Sequence, residues 1–465
     1  MRHAAAVVTA ALALASCAGP RPQAPSSAAV TAPAHWRDHN DAGPAPEAAW
    51  WTGFGDPVLT AVVEQALRNN VEIAIAAARV EEARSQFKLA RAQRLPDLSL
   101  GTGVGYQRDV DPFGIGVNER VDSVQATLAW DADLFGRLAK ANDAARASLL
   151  ATAAARDGVR LAVAAAAANG YVGLRALDAR LSILQETLVA RSDALRLARR
   201  RYEAGYAASL DLSQAEAEYR NAEQLVPATL LAISRQENGL SVLLGQSPNA
   251  IARGTELSSI AFPPLPNDLP ADLLRRRPDI EQAEQQLVAA DASLDSVRAS
   301  FLPDLRLSAA GGIVGSSLIA DPVSVFSLGM SLLTPIFDAG RRRAQQGVAA
   351  SQRDEAAFSY RRAALTAFRE VEDAMATVQR SREQEVALAE QRAALERALT
   401  TATKRYRAGY SPYLDQLDAQ RSLLTAELAV VKARSDRLTG QIALYQALGG
   451  GWRSADLGAE IASRR

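Results

Sequence analysis

The sequence predicts a mainly α-helical chain built by tandem duplication, each copy carrying a β-hairpin whose strands are long enough to cross a membrane. The duplication rests on two turns: RYRAGYSPYLDQLD from Arg405 to Asp418 has a relative, RYEAGYAASLD, from Arg201 to Asp211. Their shared Tyr, Gly, Leu and Asp are all 204 positions apart (406 − 202, 409 − 205, 414 − 210 and 415 − 211), the mark of a repeated supersecondary unit. The helical content rests on the stretches before these turns, Leu138–Tyr202 and Arg342–Tyr406, each roughly 65 residues without a clear breaker and so on the order of 100 Å long. Strands are read from period-two alternation that follows a Leu-Pro-Asp-Leu motif in each copy.

Residues 1–16 have a signal-peptide pattern: a basic start, Met1-Arg2-His3, then a small and apolar run too short to span a bilayer. Leu14-Ala15-Ser16-Cys17 resembles the lipobox of bacterial lipoproteins, which makes Cys17 the expected lipid attachment site and residues 17–49 a lipidated N-terminus followed by a tether rich in Pro and Ala. The alternative is a conventional signal peptide with an incidental cysteine.

The first repeat is expected over 50–260 and the second over 261–450, with a tail at 451–465. Asp56 is placed to cap a helix beginning at Pro57. Helical patterns from about Val71 to Arg94 and from Pro278 to Phe301 each end at the Leu-Pro-Asp-Leu motif, where proline stops the helix. In the hairpins expected at about 97–131 and 304–334, one face carries Leu98, Leu100, Val104 and Tyr106, then Val124, Ala126, Leu128 and Trp130. Phe326, Leu328, Met330 and Leu332 repeat the pattern in the second copy. Each copy then supplies about two strands of roughly 8 to 12 residues, the length of a tilted membrane strand. Gly101-Thr102-Gly103-Val104-Gly105 is not a phosphate loop, since it lies within a strand and lacks the following Lys-Ser/Thr.

Asp133-Leu134-Phe135-Gly136-Arg137 and Phe337-Asp338-Ala339-Gly340-Arg341 mark the passage from strand to long helix. The long helices end at tips expected over 203–209 and 407–413, where Gly205 and Gly409 turn the chain. The return helices carry three- and four-residue apolar steps, among them Leu414, Leu417, Leu424 and Leu428, with Arg421 and Ser435 as exceptions. This is a coiled-coil seam. Pro227 should kink or break its first-copy counterpart.

Bulk composition removes most catalytic readings. The three histidines, His3, His35 and His39, and the single cysteine, Cys17, all precede the folded body, so it holds no material for a Ser/His/Asp triad or for a zinc site with His or Cys ligands. No enzyme, cofactor or metal is therefore expected, and only a carboxylate-based activity stays open as a minor alternative. Lys+Arg and Asp+Glu are both 52, which leaves no overall field to attract nucleic acid. The short clusters Arg275–Arg277 and Arg341–Arg343 lack the interleaved aromatics of a nucleic-acid surface.

Four strands cannot close in lipid, where edge N–H and C=O groups must be paired and the smallest barrels use about eight strands. The chain must then oligomerise, and counting alone allows a dimer or a trimer.

Trp50 to Leu59, Leu134-Phe135-Gly136-Arg137, Leu273 to Glu284, Thr334 to Arg343 and the two tips together resemble the TolC-like outer-membrane factors, in particular their NodT-like lipoprotein subgroup. The resemblance implies a homotrimer with a twelve-stranded transmembrane β-barrel continued by a long periplasmic α-helical barrel. The implied role is the passive exit duct of a tripartite efflux pump. Its implied partners are a periplasmic adaptor, an inner-membrane transporter of RND type and the lipid of the outer membrane. Asp415 and Asp418 match the family's paired aspartates, which form cation-binding rings at the pore gate. Tyr406 and Asp211 match a tip lock, and Gly205 and Gly409 lie where adaptor contact is expected. Ser411 stands where the best-known member has Arg, so part of that lock is missing. The plain alternative for each Asp is helix capping or solvation, and for the whole chain a lipid-anchored periplasmic coiled-coil spacer.

Overall fold

A computed structural model describes residues 20–37, 48–110, 113–264 and 270–452. The signal peptide, Cys17 and the tail beyond Trp452 lie outside the described residues. The helices are α1 (Pro57–Asn69), α2 (Val71–Ala92), α3 (Arg137–Glu203), α4 (Ser209–Leu243), α5 (Pro270–Arg276), α6 (Pro278–Ala299), α7 (Arg341–Arg407) and α8 (Tyr413–Ala447). The strands are β1 (Asp97–Val110), β2 (Gly116–Ala132), β3 (Asp304–Ser316) and β4 (Val323–Leu333). Repeat-related helices have equal lengths: 22 residues for α2 and α6, 67 for α3 and α7, and 35 for α4 and α8. The duplication is therefore built into the backbone as well as the sequence. Among the described residues, no helix is long and apolar enough to cross a membrane.

The chain divides into two compact units that cut across the repeats. The first takes Ala78–Ala153 and Gln282–Arg362 with the N-terminal stretch to Val30; the second takes Thr31–Ala77, Ala154–Glu281 and Ala363 onward.

In the first unit the strands form one antiparallel sheet in the order β1-β2-β3-β4. The strands run to 14, 17, 13 and 11 residues, longer than expected in three of four cases. The register aligns Leu100 with Ala126, Ala126 with Gly311, and Gly311 with Phe326, so one face collects the apolar positions of all four strands. On that face Leu98, Leu100, Val104, Tyr106, Phe326, Leu328, Met330 and Leu332 are 62–86% exposed. The other face carries Ser99, Gly101, Gly103, Gln125, Thr127 and Ser308. Below the sheet, Asp133 caps α3 by accepting from Leu138 N (3.1 Å) and Ala139 N (2.6 Å), which explains the acid in the strand-to-helix motif.

In the second unit the core joins both repeats: Trp50, Phe54, Leu59 and Val63 pack with Tyr171, Leu174, Leu240, Leu438 and Ile442, and Trp50 stacks on Tyr445 at 5.5 Å. Asp56 caps α1 as expected, accepting from Val58 N and Leu59 N, and its second oxygen accepts from Tyr171 Oη, Thr255 N and Thr255 Oγ1 at 2.9–3.0 Å. Burial alone would push this carboxyl up, but the five donors hold it below its usual range.

Two expectations change. Helix α4 is unbroken from Ser209 to Leu243 with Pro227 inside it; at an exposed position, proline costs one ladder bond that water can replace. The described part of the tether, 20–37, is docked and not free. Arg21 bridges Asp291 (2.6 Å) and Asp295 (3.0 Å) of α6, and the buried Arg353 of α7 donates to Gln23 O at 3.0 Å. Further on, Trp36 is buried edge-on against Phe368.

Candidate functional site: the paired helix tips

Both tips are built by the same backbone device. Five residues separate the helices, 204–208 in the first tip and 408–412 in the second. Gly205 (φ 76°) and Gly409 (φ 80°) take the left-handed conformation that ends a helix. Gly205 N donates to Tyr202 O and Tyr206 N to Arg201 O; Gly409 N donates to Tyr406 O and Tyr410 N to Arg405 O. These are paired Schellman closures. Nothing lies within 4 Å of a Cβ built on either glycine, so the backbone angle, not lack of space, calls for glycine here.

The aspartates are not N-caps. The cap positions are Ala208 and Pro412, without side-chain cap bonds, and Asp211 and Asp415 lie in the first turn beyond them. There a carboxylate is favoured by the partial positive charge of the helix N-terminus.

Side-chain packing separates the two tips. Tyr406, Tyr413 and Leu417 of the second hairpin are buried together with Ala198 and Ala215 of the first. The Tyr406 and Tyr413 rings are 5.5 Å apart. The Arg201 guanidinium lies 4.5 Å from the Tyr406 ring centroid and donates to Tyr406 O (3.3 Å) and Arg407 O (3.1 Å). Four buried polar atoms here have no hydrogen-bond partner among the described residues: Tyr406 Oη, Ser411 Oγ, Tyr413 Oη and Gln416 Oε1. Within one chain, then, Tyr406 and Asp211 are not bonded to each other. A hydroxyl buried without a partner is costly, and Tyr406 Oη is one such group in this cluster.

Asp415 and Asp418 are exposed on α8. Behind them lies a buried ionic cluster. Glu218 of α4, 6% exposed, accepts from Arg421 Nε (2.8 Å) and Nη2 (2.5 Å) of α8 and faces Arg191 of α3 at 3.8 Å. Arg191, 3% exposed, donates to Gln420 Oε1. The hydrogen bond to Glu218 raises the Arg421 pKa, with Asp418 adding to it, whereas burial lowers that of Arg191 despite the same carboxylate. Glu218 thus sides with Arg421, as the shorter distances require. Burial also pushes the nearby Tyr413 hydroxyl up.

Sequence reasoning missed Arg191, Arg201, Glu218 and Tyr413. A signal was present: Arg421 interrupts the apolar seam of α8, and a charge at a seam position asks for a buried partner.

The family model described as "Outer membrane efflux protein" matches this chain twice, at residues 62–246 and 269–450. The probable efflux pump outer membrane protein TtgC of Pseudomonas putida is 33% identical over 422 residues, covering 88% of this chain and 86% of that protein. The pyoverdine export outer membrane protein OpmQ of Pseudomonas aeruginosa is 32% identical over 463 residues, covering 96% of this chain and 97% of that protein. The solved open state of the Neisseria gonorrhoeae MtrE outer membrane channel superposes with a TM-score of 0.81 at 28% identity, covering 94% of this chain and 98% of that one. With matching family segments in both repeats, near full-length relatives and a shared fold, the chain belongs to the outer membrane efflux protein family.

Proposed function

We propose that this chain is the outer-membrane exit duct of a tripartite efflux system. It passively releases small molecules handed over by an inner-membrane transporter of RND type through a periplasmic adaptor. The observation that carries this reading is the apolar face of the sheet, eight of whose large side chains are 62–86% exposed. Such a band needs lipid, or another apolar surface, to cover it. In one chain the sheet ends at β1 and β4, and three copies joined edge to edge supply twelve strands and remove the open edges that lipid forbids. A soluble coiled-coil spacer would leave the apolar band in water. The family is one of transport proteins, and specificity for cargo lies mainly with the transporter. Cys17 is the proposed lipid anchor of the mature chain.

The tips are the proposed periplasmic gate. Threefold symmetry turns Asp415 and Asp418, one helical turn apart, into two carboxylate rings that bind cations. Tyr406 and Asp211 hold the closed tip, Tyr406 using the hydroxyl that finds no partner inside one chain. Gly205 and Gly409 shape the turns that meet the adaptor.

Single-channel recording in planar bilayers tests the reading. The detergent-extracted protein should form trimeric channels blocked by multivalent cations, and Asp415→Ala with Asp418→Ala should relieve that block at least several-fold. Block unchanged in the double variant removes the rings from the gate, and absence of any channel from a trimer removes the duct.

A further inference from the structure

The two open edges of the sheet carry charged side chains whose repeat equivalents are already paired inside the chain. At the base of the sheet Arg137, where α3 begins, reaches Asp304, where β3 begins, at 3.7 Å. The Leu-Pro-Asp-Leu motifs are 207 positions apart (302 − 95) and the glycines that precede the long helices 204 (340 − 136), so Asp304 is equivalent to Asp97 and Arg137 to Arg341. The backbone keeps these offsets: Asp97 lies opposite Ala129 in the first hairpin and Asp304 opposite Leu333 in the second, again 207 and 204 apart. Asp97 opens β1 and Arg341 opens α7 just after β4, at opposite edges of the sheet. Both are exposed, and neither side chain has a hydrogen bond or ion pair among the described residues.

We infer that Arg341 of one copy pairs with Asp97 of the next, and that this pair fixes the register in which β4 joins β1 of the neighbouring chain. The inference rests on the proposed trimeric duct, and it adds the residues and register of the seam. Its template is the pairing of β2 with β3, which links the two repeats inside the chain: Leu128 lies opposite Ala309 and Val124 opposite Ile313. Moved by 204 and 207, these become Leu332 opposite Thr102 and Leu328 opposite Tyr106, with the apolar side chains of both copies on one face. Alternation alone does not select this register. A slip of one residue turns the apolar set to the other face, but a slip of two keeps every such side chain where it was. That slip displaces Arg341 from Asp97 by about 7 Å, too far for an ion pair. An exposed pair adds little strength, yet across an interface it distinguishes registers that burial treats alike. The pair between copies also stands alone. Inside the chain Arg306 supports the same junction, 3.2 Å from Asp131 and 3.7 Å from Asp304, whereas the equivalents of Asp131 and Arg306 are Pro335 and Ser99.

Crosslinking of the assembled protein tests it. Cys17 is the only native cysteine, and variants with one introduced cysteine control for it. On oxidation, Leu332→Cys with Thr102→Cys should run as covalent dimers and trimers on denaturing gels, and Leu332→Cys with Leu100→Cys, the register slipped by two, should give several-fold less. As a second measurement, Arg341→Glu and Asp97→Arg should each lower the temperature at which the trimer dissociates in detergent and raise the slipped crosslink. Arg341→Glu together with Asp97→Arg should restore both. A crosslink that favours Leu100→Cys, or a combined swap no better than the single variants, overturns the inference. The fate of the duct is read separately: absence of any trimer from the unmodified protein removes the duct and this inference together, whereas a trimer that fails either seam test leaves the duct standing and removes the inference alone.

Discussion

Tyr202 and Tyr406 occupy the same place in two turns of identical length and closure, yet Tyr202 is 45% exposed and Tyr406 only 6%. The backbone does not make this difference, because both turns end in a left-handed glycine with the same pair of hydrogen bonds. Side chains one to three helical turns away make it: the second tip has Tyr413 and Leu417 where the first has Ser209 and Ser213. Duplication thus preserved the hinge geometry while packing diverged, which left one tip able to dock into the other within a chain.

The sharpest way to break this contrast is to give the second tip the first tip's residues. Tyr413→Ser with Leu417→Ser removes two side chains that are each 1% exposed, at a cost on the order of 3 kcal/mol apiece. Amide exchange across 404–417 should then rise to the level of 200–213, and trypsin should cut at Arg405 and Arg407 as fast as at Arg199 and Arg200. Exchange that stays slow would mean that Arg201 and the Glu218 cluster, not the aromatic plug, set the difference.

A smaller effect should be shared by the two tips. Gly205→Ala and Gly409→Ala each place an L-residue at φ near +80°, a cost of about 1–2 kcal/mol, with no steric clash to add. Local exchange should accelerate equally in the two turns. A much larger response at Gly409 would tie the buried Tyr406 to the turn geometry and end the separation of backbone from packing.

How legible this was in the sequence follows the same division. Periodic and local features could be read: the strand alternation, the Asp56 cap and the two glycine turns each depend on residues within a few positions of one another, and the repeat offset shows as two short matching stretches 204 positions apart. The ionic cluster was not legible, because Arg191, Glu218 and Arg421 come from three helices and meet only through tertiary packing. Arg421 was visible as an interruption of the apolar seam, without anything local to name its partner. The docking of the tether was not legible for a related reason: Pro- and Ala-rich composition describes an extended linker, but Arg21 and Trp36 within it find Asp291 and Phe368 more than 250 residues away. Unequal residues at equivalent positions, such as Ser209 against Tyr413, were the one sequence signal that pointed to the packed tip.

The finest test of divergence between the copies is electrostatic. Glu223 and Glu427 are repeat equivalents, 204 positions apart, and their carboxyls move in opposite directions. Glu223 is held below its usual range by the hydrogen bond from Arg220 (2.7 Å) and that from Tyr219 (3.2 Å). Glu427 is pushed up by burial, with Glu186 and Glu396 adding to the push and Arg392 opposing it. The signs for stability follow. A depressed carboxyl contributes stability that is present above its unfolded pKa and is lost as pH falls through its folded pKa. A raised one leaves the fold unpenalised below the unfolded pKa and costs stability as pH rises from there through the folded value. Glu427→Gln should therefore raise the thermal midpoint of the purified channel at pH 7.5, while Glu223→Gln lowers it slightly, its effect muted by solvent screening. At a pH below both carboxyl ranges each variant should melt with wild type. The same sign of shift in both variants at pH 7.5 would mean that the two copies share one electrostatic environment, leaving packing as their only divergence.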